Sequence, residues 1–339
     1  MNKKQCFVRM CVVMLCLLVA GTMVFGNGQK ESTNASGPVK LIAAHVNSED
    51  SSYQAGMVAF KNELERISGG TMVVEIHSNG SLGGAEEELV QKMATGTVDV
   101  IVASPNFLAQ IAPKADIFSL PYLFNNYEHW EKVTGGKPGQ QIADIIDNET
   151  DFKMLGYWMC GVRSYFGIRP VTTLADMKGI KIRVHNSPVV QKSWQALGAQ
   201  PANVAYNELY QALQNKVIDA AEQDLGNIFL QKFFEAGKYI SLTEHDIATR
   251  FFLIGGKKYK SLTERQQKWV LEAGKVASDV EKIADKKLSD EARDKLISSG
   301  AIFNEVDKKA FAEATDSVRK EAAKSMHAED ILQEINKLR

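Results

Sequence analysis

Two arginines in this chain have the residue type and surroundings for anion chemistry: Arg163 in CGVRSYF and Arg183 in KIRVHNSP. Arg183 stands between a short β-type run and a helix start, with Ser187 placed to cap the helix and Pro188 at its first turn. A guanidinium at such an edge is a preformed fork that donates two parallel hydrogen bonds to a carboxylate, a geometry that Lys cannot reproduce. The pair therefore nominates an acid-binding cleft. The bland alternative is that each Arg is an ion-pair partner of Glu222 or Asp219, the usual fate of an Arg in a folded domain.

Catalytic and metal motifs are missing. The sequence holds no G-x-S-x-G elbow, no G-x-x-x-x-G-K-[ST] loop, no G-x-G-x-x-G after a strand, and no H-E-x-x-H or paired C-x-x-C. Its six histidines, His45, His77, His129, His185, His245 and His327, are scattered and do not pair at metal-ligand spacing. No cofactor, metal or catalytic residue is expected. The Gly-rich NGSLGG at 79–84 precedes Glu86, Glu87 and Glu88, which complement a helix dipole and would repel a phosphate, so it reads as a turn into a helix.

The elements that must position the arginines follow from periodicity. KLIAAHV is β-like; Met57, Phe60, Leu64 and Ile67 then share a helix face; Gly69-Gly70 stops the helix; and TMVVEI returns as a strand. The alternation continues through a helix over 85–94, VDVIVA at 98–103, KMLGYWM at 153–159 and KIRV at 181–184, which predicts α/β layers over a largely parallel sheet. Ligands in such folds sit outside the carboxyl ends of strands, where Arg183 falls. The last eighty or so residues are helical in pattern, with Trp269, Val276, Val280 and Ile283 expected to face the core. A chain of 339 residues exceeds what one core usually organises, so two lobes are the default.

The N-terminus reads differently. Lys3, Lys4 and Arg9 precede an apolar run from Met10 to Phe25, with small residues at Val24 and Gly26, the pattern of a secretory signal peptide over 1–26. The run is shorter than the roughly 20 residues a membrane span needs, which favours cleavage over anchoring. The polar NGQKESTNASGP over 27–38 reads as a flexible tether. Removing the leader takes the net charge from −1 to −4, which disfavours nucleic acid and acidic membranes as partners. Cys6, Cys11 and Cys16 lie in the leader, so Cys160 remains alone, without an internal disulfide, and reads as a buried small hydrophobe.

KIRVHNSP at 181–188, followed by LGAQPANVAYNELYQALQNKVIDAAEQDL at 197–225, resembles the TRAP-transporter solute-binding proteins of the dicarboxylate-binding DctP type. NGSLGGAEEELV, FSLPYLF, TLADMKG and the segment from Trp158 to Arg163 fall in the family's order, so the resemblance covers nearly the whole mature chain. It implies a two-lobed periplasmic-binding-protein fold of discontinuous domains, 39–160 with 249–288 against 161–248 with 289–339, with a hinge and long bracing helices. It also implies an exported, periplasmic receptor, monomer or homodimer, that closes on a small organic acid and delivers it to an ion-gradient-driven permease. By that resemblance Arg183 forms the two-pronged salt bridge to the ligand carboxylate and Arg163 supports it. Where the family commonly has Gln-Glu-Asn-Pro this chain has Ala221-Glu222-Gln223-Asp224, so Gln223 would supply the amide. Tyr206 falls where an aromatic closes over the ligand, Ser104, Asn106 and His45 take wall positions, and Trp158 and Glu222 are counted with the set. A ligand-sensing surface protein on the same fold, or a secreted α/β enzyme acting on an organic acid, is the alternative.

Overall fold

The computed structural model describes residues 37–339; the expected signal peptide, and the tether up to residue 36, lie outside the described residues. The chain opens with the expected βαβ unit. Strand β1 (Val39–Ala44) leads to helix α1 (Ser52–Ile67), which Ser51 caps by accepting a hydrogen bond from the Gln54 amide. Met57, Phe60 and Leu64 on its inner face are wholly buried. Gly69 and Gly70, at φ of 61° and 78°, turn the chain in the left-handed region open to glycine, and β2 (Met72–His77) pairs parallel to β1 from Val39↔Met72 onward. Helix α2 (Glu86–Thr95) then leads to β3 (Val100–Ala103), parallel to β1 on its other edge.

The sheet is mixed rather than largely parallel. Two long strands, β4 (Phe152–Gly167) and β8 (Tyr239–Gly255), run antiparallel to each other through its centre. The last part of β8 pairs with β3 at Ala103↔Phe251 to Val100↔Ile254, and the last part of β4 pairs with β7 (Ala220–Asp224) from Arg163↔Asp224 to Gly167↔Ala220. Beyond β7 lie β5 (Lys181–Val184) and β6 (Gln200–Asn203), while β9 (Ile302–Glu305) joins β8 at Tyr239–Leu242. The strand order is β2-β1-β3-β8-β4-β7-β5-β6. Periodicity could not show this, because β4 and β8 are buried apolar runs whose direction depends on long-range pairing. The molecule has two lobes, and β4 and β8 pass through both halves of the sheet.

After Pro188 opens helix α3 (Pro188–Ala196), the other element of note is the 35-residue helix α4 (Glu264–Ser298), started by a capping box between Thr263 and Gln266. Its expected inward stripe is corrected by the structure: Val276 and Val280 are 37% exposed and Ile283 is 72% exposed. The buried face carries Val270, Ala273, Gly274, Ala277, Ser278, Glu281 and Asp285 instead. Proximity to the β4 backbone decides this. A Cβ on Gly156 would lie 2.2 Å from Ser278 Oγ, and a Cβ on Gly274 would lie 3.1 Å from the Leu155 carbonyl oxygen, so larger residues have no room. Glu281 Oε2 accepts from the Met159 amide at 3.0 Å and Asp285 Oδ2 from the Gly161 amide at 3.2 Å. Those amides flank the register break of β4 between Met159 and Val162, where Gly161 has φ of 61°. Carboxyls on α4 thus satisfy backbone donors at the point where the ladder is interrupted.

Neither carboxyl has an ion-pair partner among the described residues. Burial pushes Asp285 up to about 7, with Asp224 adding to the rise, and raises Glu281 well above the carboxylate range. An unfolded Asp titrates near 4, so the folded protein holds this proton more tightly than the unfolded chain does. The contribution of Asp285 is complete below about pH 4 and is lost as pH rises towards 7, at up to about 1.4 kcal/mol per pH unit. Thermal unfolding followed by circular dichroism should show a midpoint that falls between about pH 4 and pH 7. Asp285→Asn, which keeps an acceptor for Gly161, should flatten that fall.

Candidate functional site

Strand β5 buries Ile182 and Val184 on the core side and presents Arg183 between them, 4% exposed. Directly after it, Ser187 Oγ accepts from the Val190 amide to start α3, the cap that the sequence predicts. Arg163 sits within β4 rather than at a strand end, opposite Asp224 of β7. The two arginines therefore project from different strands, and their surroundings differ sharply.

Arg163 is matched. Its Nε donates to Glu222 Oε2, its Nη2 donates to Glu222 Oε1 at 2.8 Å and to the Glu222 carbonyl at 2.9 Å, and its Nη1 donates to Gln223 Oε1. His245 Nε2 lies 3.3 Å from the same Glu222 carboxylate. Burial by itself would lower the Arg163 pKa, but Glu222 overcomes it and the shift is upward. Burial likewise pushes Glu222 up, and Arg163 and His245 outweigh it to hold Glu222 well below the carboxylate range. This is a buried, bidentate ion pair.

Arg183 is not matched. Its Nε donates to the Val204 carbonyl at 2.9 Å, and its guanidinium lies 6.0 Å from the centre of the Tyr206 ring. Among the described residues its terminal nitrogens have no acceptor and it has no ion pair. Burial pulls its pKa down to about 10, with Glu222 opposing and Arg163 adding to the fall. It stays charged at neutral pH. It faces a cavity of about 250 Å³ lined by Val46, Asn47, Tyr53, Ala85, Glu86, Glu87, Ser104, Phe107, Cys160, Arg163, His185, Asn186, Asn203, Val204, Ala205, Tyr206, Gln223 and Arg250 as well as Arg183 itself.

Of the predicted site residues, Arg183, Arg163, Tyr206, Gln223 and Ser104 line this cavity. Tyr206 brings a buried hydroxyl with no protein partner. Gln223 commits its carbonyl to Arg163 and the Asp224 amide, leaving its NH₂ as donor. Four predicted residues do not line it. Trp158 is wholly buried in the core, stacked on Phe252 at 4.4 Å with its indole N–H on Ser278 Oγ. His45 lies behind Val46 and Asn47 with its Nε2 2.8 Å from Gln54 Oε1. Glu222 sits behind Arg163 as its counter-ion. Asn106 borders a small neighbouring cavity and donates to the Asn186 carbonyl at 3.2 Å. Cys160 is buried as expected, and burial raises its thiol well above the usual range.

Sequence reasoning missed Arg250, Glu86, Asn47, Tyr53 and His185. An arginine inside the apolar run ATRFFLIGG was a usable signal, since a buried Arg requires a partner. Its partner is Glu86, 3.4 Å away, which the sequence assigns to the helix dipole alone. Burial lowers His185 to about 3, so that imidazole is neutral.

The model of the bacterial extracellular solute-binding protein family 7 matches residues 43–325. A solute-binding protein of Roseobacter denitrificans is 34% identical over 279 residues, covering 82% of this chain and 85% of the relative. The 2,3-diketo-L-gulonate-binding periplasmic protein of Escherichia coli is 27% identical over 308 residues, covering 89% and 90%. Among solved structures, a TRAP periplasmic solute binding protein from Pseudomonas putida with bound D-glucuronate superposes with a TM-score of 0.84 at 28% identity, covering 88% of this chain and 97% of that one. One from Bradyrhizobium, in complex with α/β-D-galacturonate, gives 0.84 at 27% identity, covering 88% and 99%.

The two arginines should respond oppositely to removal in ligand-free protein. Arg163→Met strands the buried Glu222 charge and should cost about 3–5 kcal/mol, whereas Arg183→Met removes an unmatched buried charge and should leave stability unchanged or higher. Urea unfolding of both variants beside the wild type measures the difference.

Proposed function

The chain belongs to the bacterial extracellular solute-binding protein family 7, the TRAP-type receptors, and from that premise we propose that it captures a small organic acid on Arg183, closes over it and delivers it to an ion-gradient-driven permease. The observation that carries this reading is the unmatched guanidinium: Arg183 is 4% exposed, borders a cavity of about 250 Å³ and, among the described residues, donates only to Val204. A carboxylate there accepts two parallel hydrogen bonds and neutralises the buried charge. The remaining carboxylate lone pairs face the Gln223 amide and the Tyr206 hydroxyl, which offsets the cost of taking both ions out of water. The structural neighbours hold uronic acids, so the class of ligand proposed is a hydroxylated sugar acid. The reading is capture without turnover, outside the cytoplasm, with residues 1–26 as the export signal.

The lobe boundaries we propose are 39–160 with 249–288 and 161–248 with 289–339. Their support is the register break in the β4–β8 ladder between Met159 and Val162, after which β4 gains β7 along its other edge. With those boundaries, contacts across the cleft include Asn106 on Asn186, Phe107 with its ring 6.1 Å from that of His185, and Gly84 packed against Asn207. A ligand touching both walls binds this closed arrangement better than an open one, and that difference in affinity drives closure.

A thermal-shift screen of protein freed of carried-over ligand by unfolding and refolding, against uronic, aldonic, keto and dicarboxylic acids, tests the proposal. An acid at a hundred times its dissociation constant should add about 2.7 kcal/mol, and Arg183→Ala should abolish the shift. A shift that survives in Arg183→Ala contradicts the assignment. Closure has its own test: a Cβ at position 84 would lie 2.4 Å from Asn207 Nδ2, so Gly84→Val should weaken the same acid at least about tenfold by titration calorimetry.

A further inference from the structure

The cavity contains a second charged pair that the capture of one carboxylate leaves unused. Glu86 opens α2 and Arg250 lies in β8; both are more than nine-tenths buried, and both line the cavity that Arg183 borders. Glu86 Oε2 is occupied by the Ser104 amide at 2.8 Å and the Ser104 hydroxyl at 2.7 Å. Oε1 lies 3.4 Å from Arg250 Nε, yet that nitrogen makes no hydrogen bond among the described residues. Tyr53 also lines the cavity, and its buried hydroxyl lacks a partner among the described residues. An acceptor and two donors without proper partners thus belong to residues that line one cavity.

A hydroxyl suits this arrangement, because its oxygen accepts from the guanidinium while its proton goes to the carboxylate. A second carboxylate only accepts, and it would set its charge against Glu86 and the half-buried Glu87. The charges of the cavity agree. Glu222 matches Arg163, Glu86 matches Arg250, Arg183 has no ion pair among the described residues, and Glu87 adds a half-buried negative charge to the lining, which leaves room for one external carboxylate and opposes a second. We propose that Glu86 and Arg250 are specificity-determining residues that bind the hydroxyls of a hydroxylated monocarboxylic acid and exclude acids with a carboxylate at each end. The inference rests on Arg183 being the seat of the first carboxylate.

D-gluconate and D-glucarate test it cleanly, since they share a hydroxylated six-carbon chain and differ only in a terminal CH₂OH replaced by carboxylate; D-galacturonate serves as a third probe. By titration calorimetry on protein expressed from the full-length sequence, the wild type should bind gluconate at least about 100-fold tighter than glucarate, the effect expected of like charges brought together. Glu86→Gln should reduce that ratio at least about tenfold, by weakening gluconate and admitting glucarate. The double variant Glu86→Gln/Arg250→Gln, which leaves no stranded charge if the single variant folds poorly, should reduce it too. Glucarate bound by the wild type within about threefold of gluconate, or a ratio unmoved in both variants, overturns the inference. Arg183→Ala separates the premise: loss of both acids upholds it, whereas gluconate affinity retained there refutes the Arg183 seat and leaves the ratio to decide the role of Glu86. If the wild type binds none of the three acids, the inference falls with its premise.

Discussion

A guanidinium buried without a counter-ion costs several kcal/mol, and a folded protein keeps one only where the rest of the structure compels it. Arg183 is held in that state by β5, whose flanking Ile182 and Val184 are locked in the core, and by a single bond to Val204. The acid whose charge favours it most, Glu222, is engaged by the two-pronged contact with Arg163 and by His245. One acid and two arginines therefore leave one positive charge facing the cavity. The proposed function rests on that imbalance: the fold holds a cation whose partner must come from outside.

How much of this was legible in the sequence depends on the range of the interaction. Local signals held well. Ser187 and Pro188 start α3, KIRV is β5, and Arg183 stands where they meet, as capping chemistry and a short β run predict. The ordered succession of motifs also identified the family, which the match over residues 43–325 shows. Long-range features were hidden. Nothing local distinguishes β4 and β8 as antiparallel crossing strands, so a mixed sheet reads as a parallel one. The face of α4 was misjudged because a small-residue and acidic stripe, selected by proximity to Gly156 and Leu155, is less apolar than the exposed Val276, Val280 and Ile283. Glu86 and Arg250 are 164 positions apart in the chain, and neither reveals its role until β8 and α2 meet.

The same structure links stability to movement. The β4–β8 ladder breaks between Met159 and Val162, just before β7 joins the other edge of β4, and α4 reaches across to hold the freed amides with Glu281 and Asp285. Gly161 supplies the left-handed conformation that the break requires, and a Cβ there would meet Asp224 at 2.5 Å. A segment with interrupted pairing and side-chain latches opens more readily than a continuous ladder, which suits the closure proposed for the two lobes. The small face of α4 thus serves the break in β4 as well as the core.

The most direct measurement is a crystal structure of the protein with a bound uronic or aldonic acid. The account predicts the ligand carboxylate on the two terminal nitrogens of Arg183, with N···O distances of about 2.7–2.9 Å, while Arg163 keeps its contact with Glu222. A carboxylate seated on Arg163 with Glu222 displaced, or a ligand that leaves Arg183 without an acceptor, would contradict it.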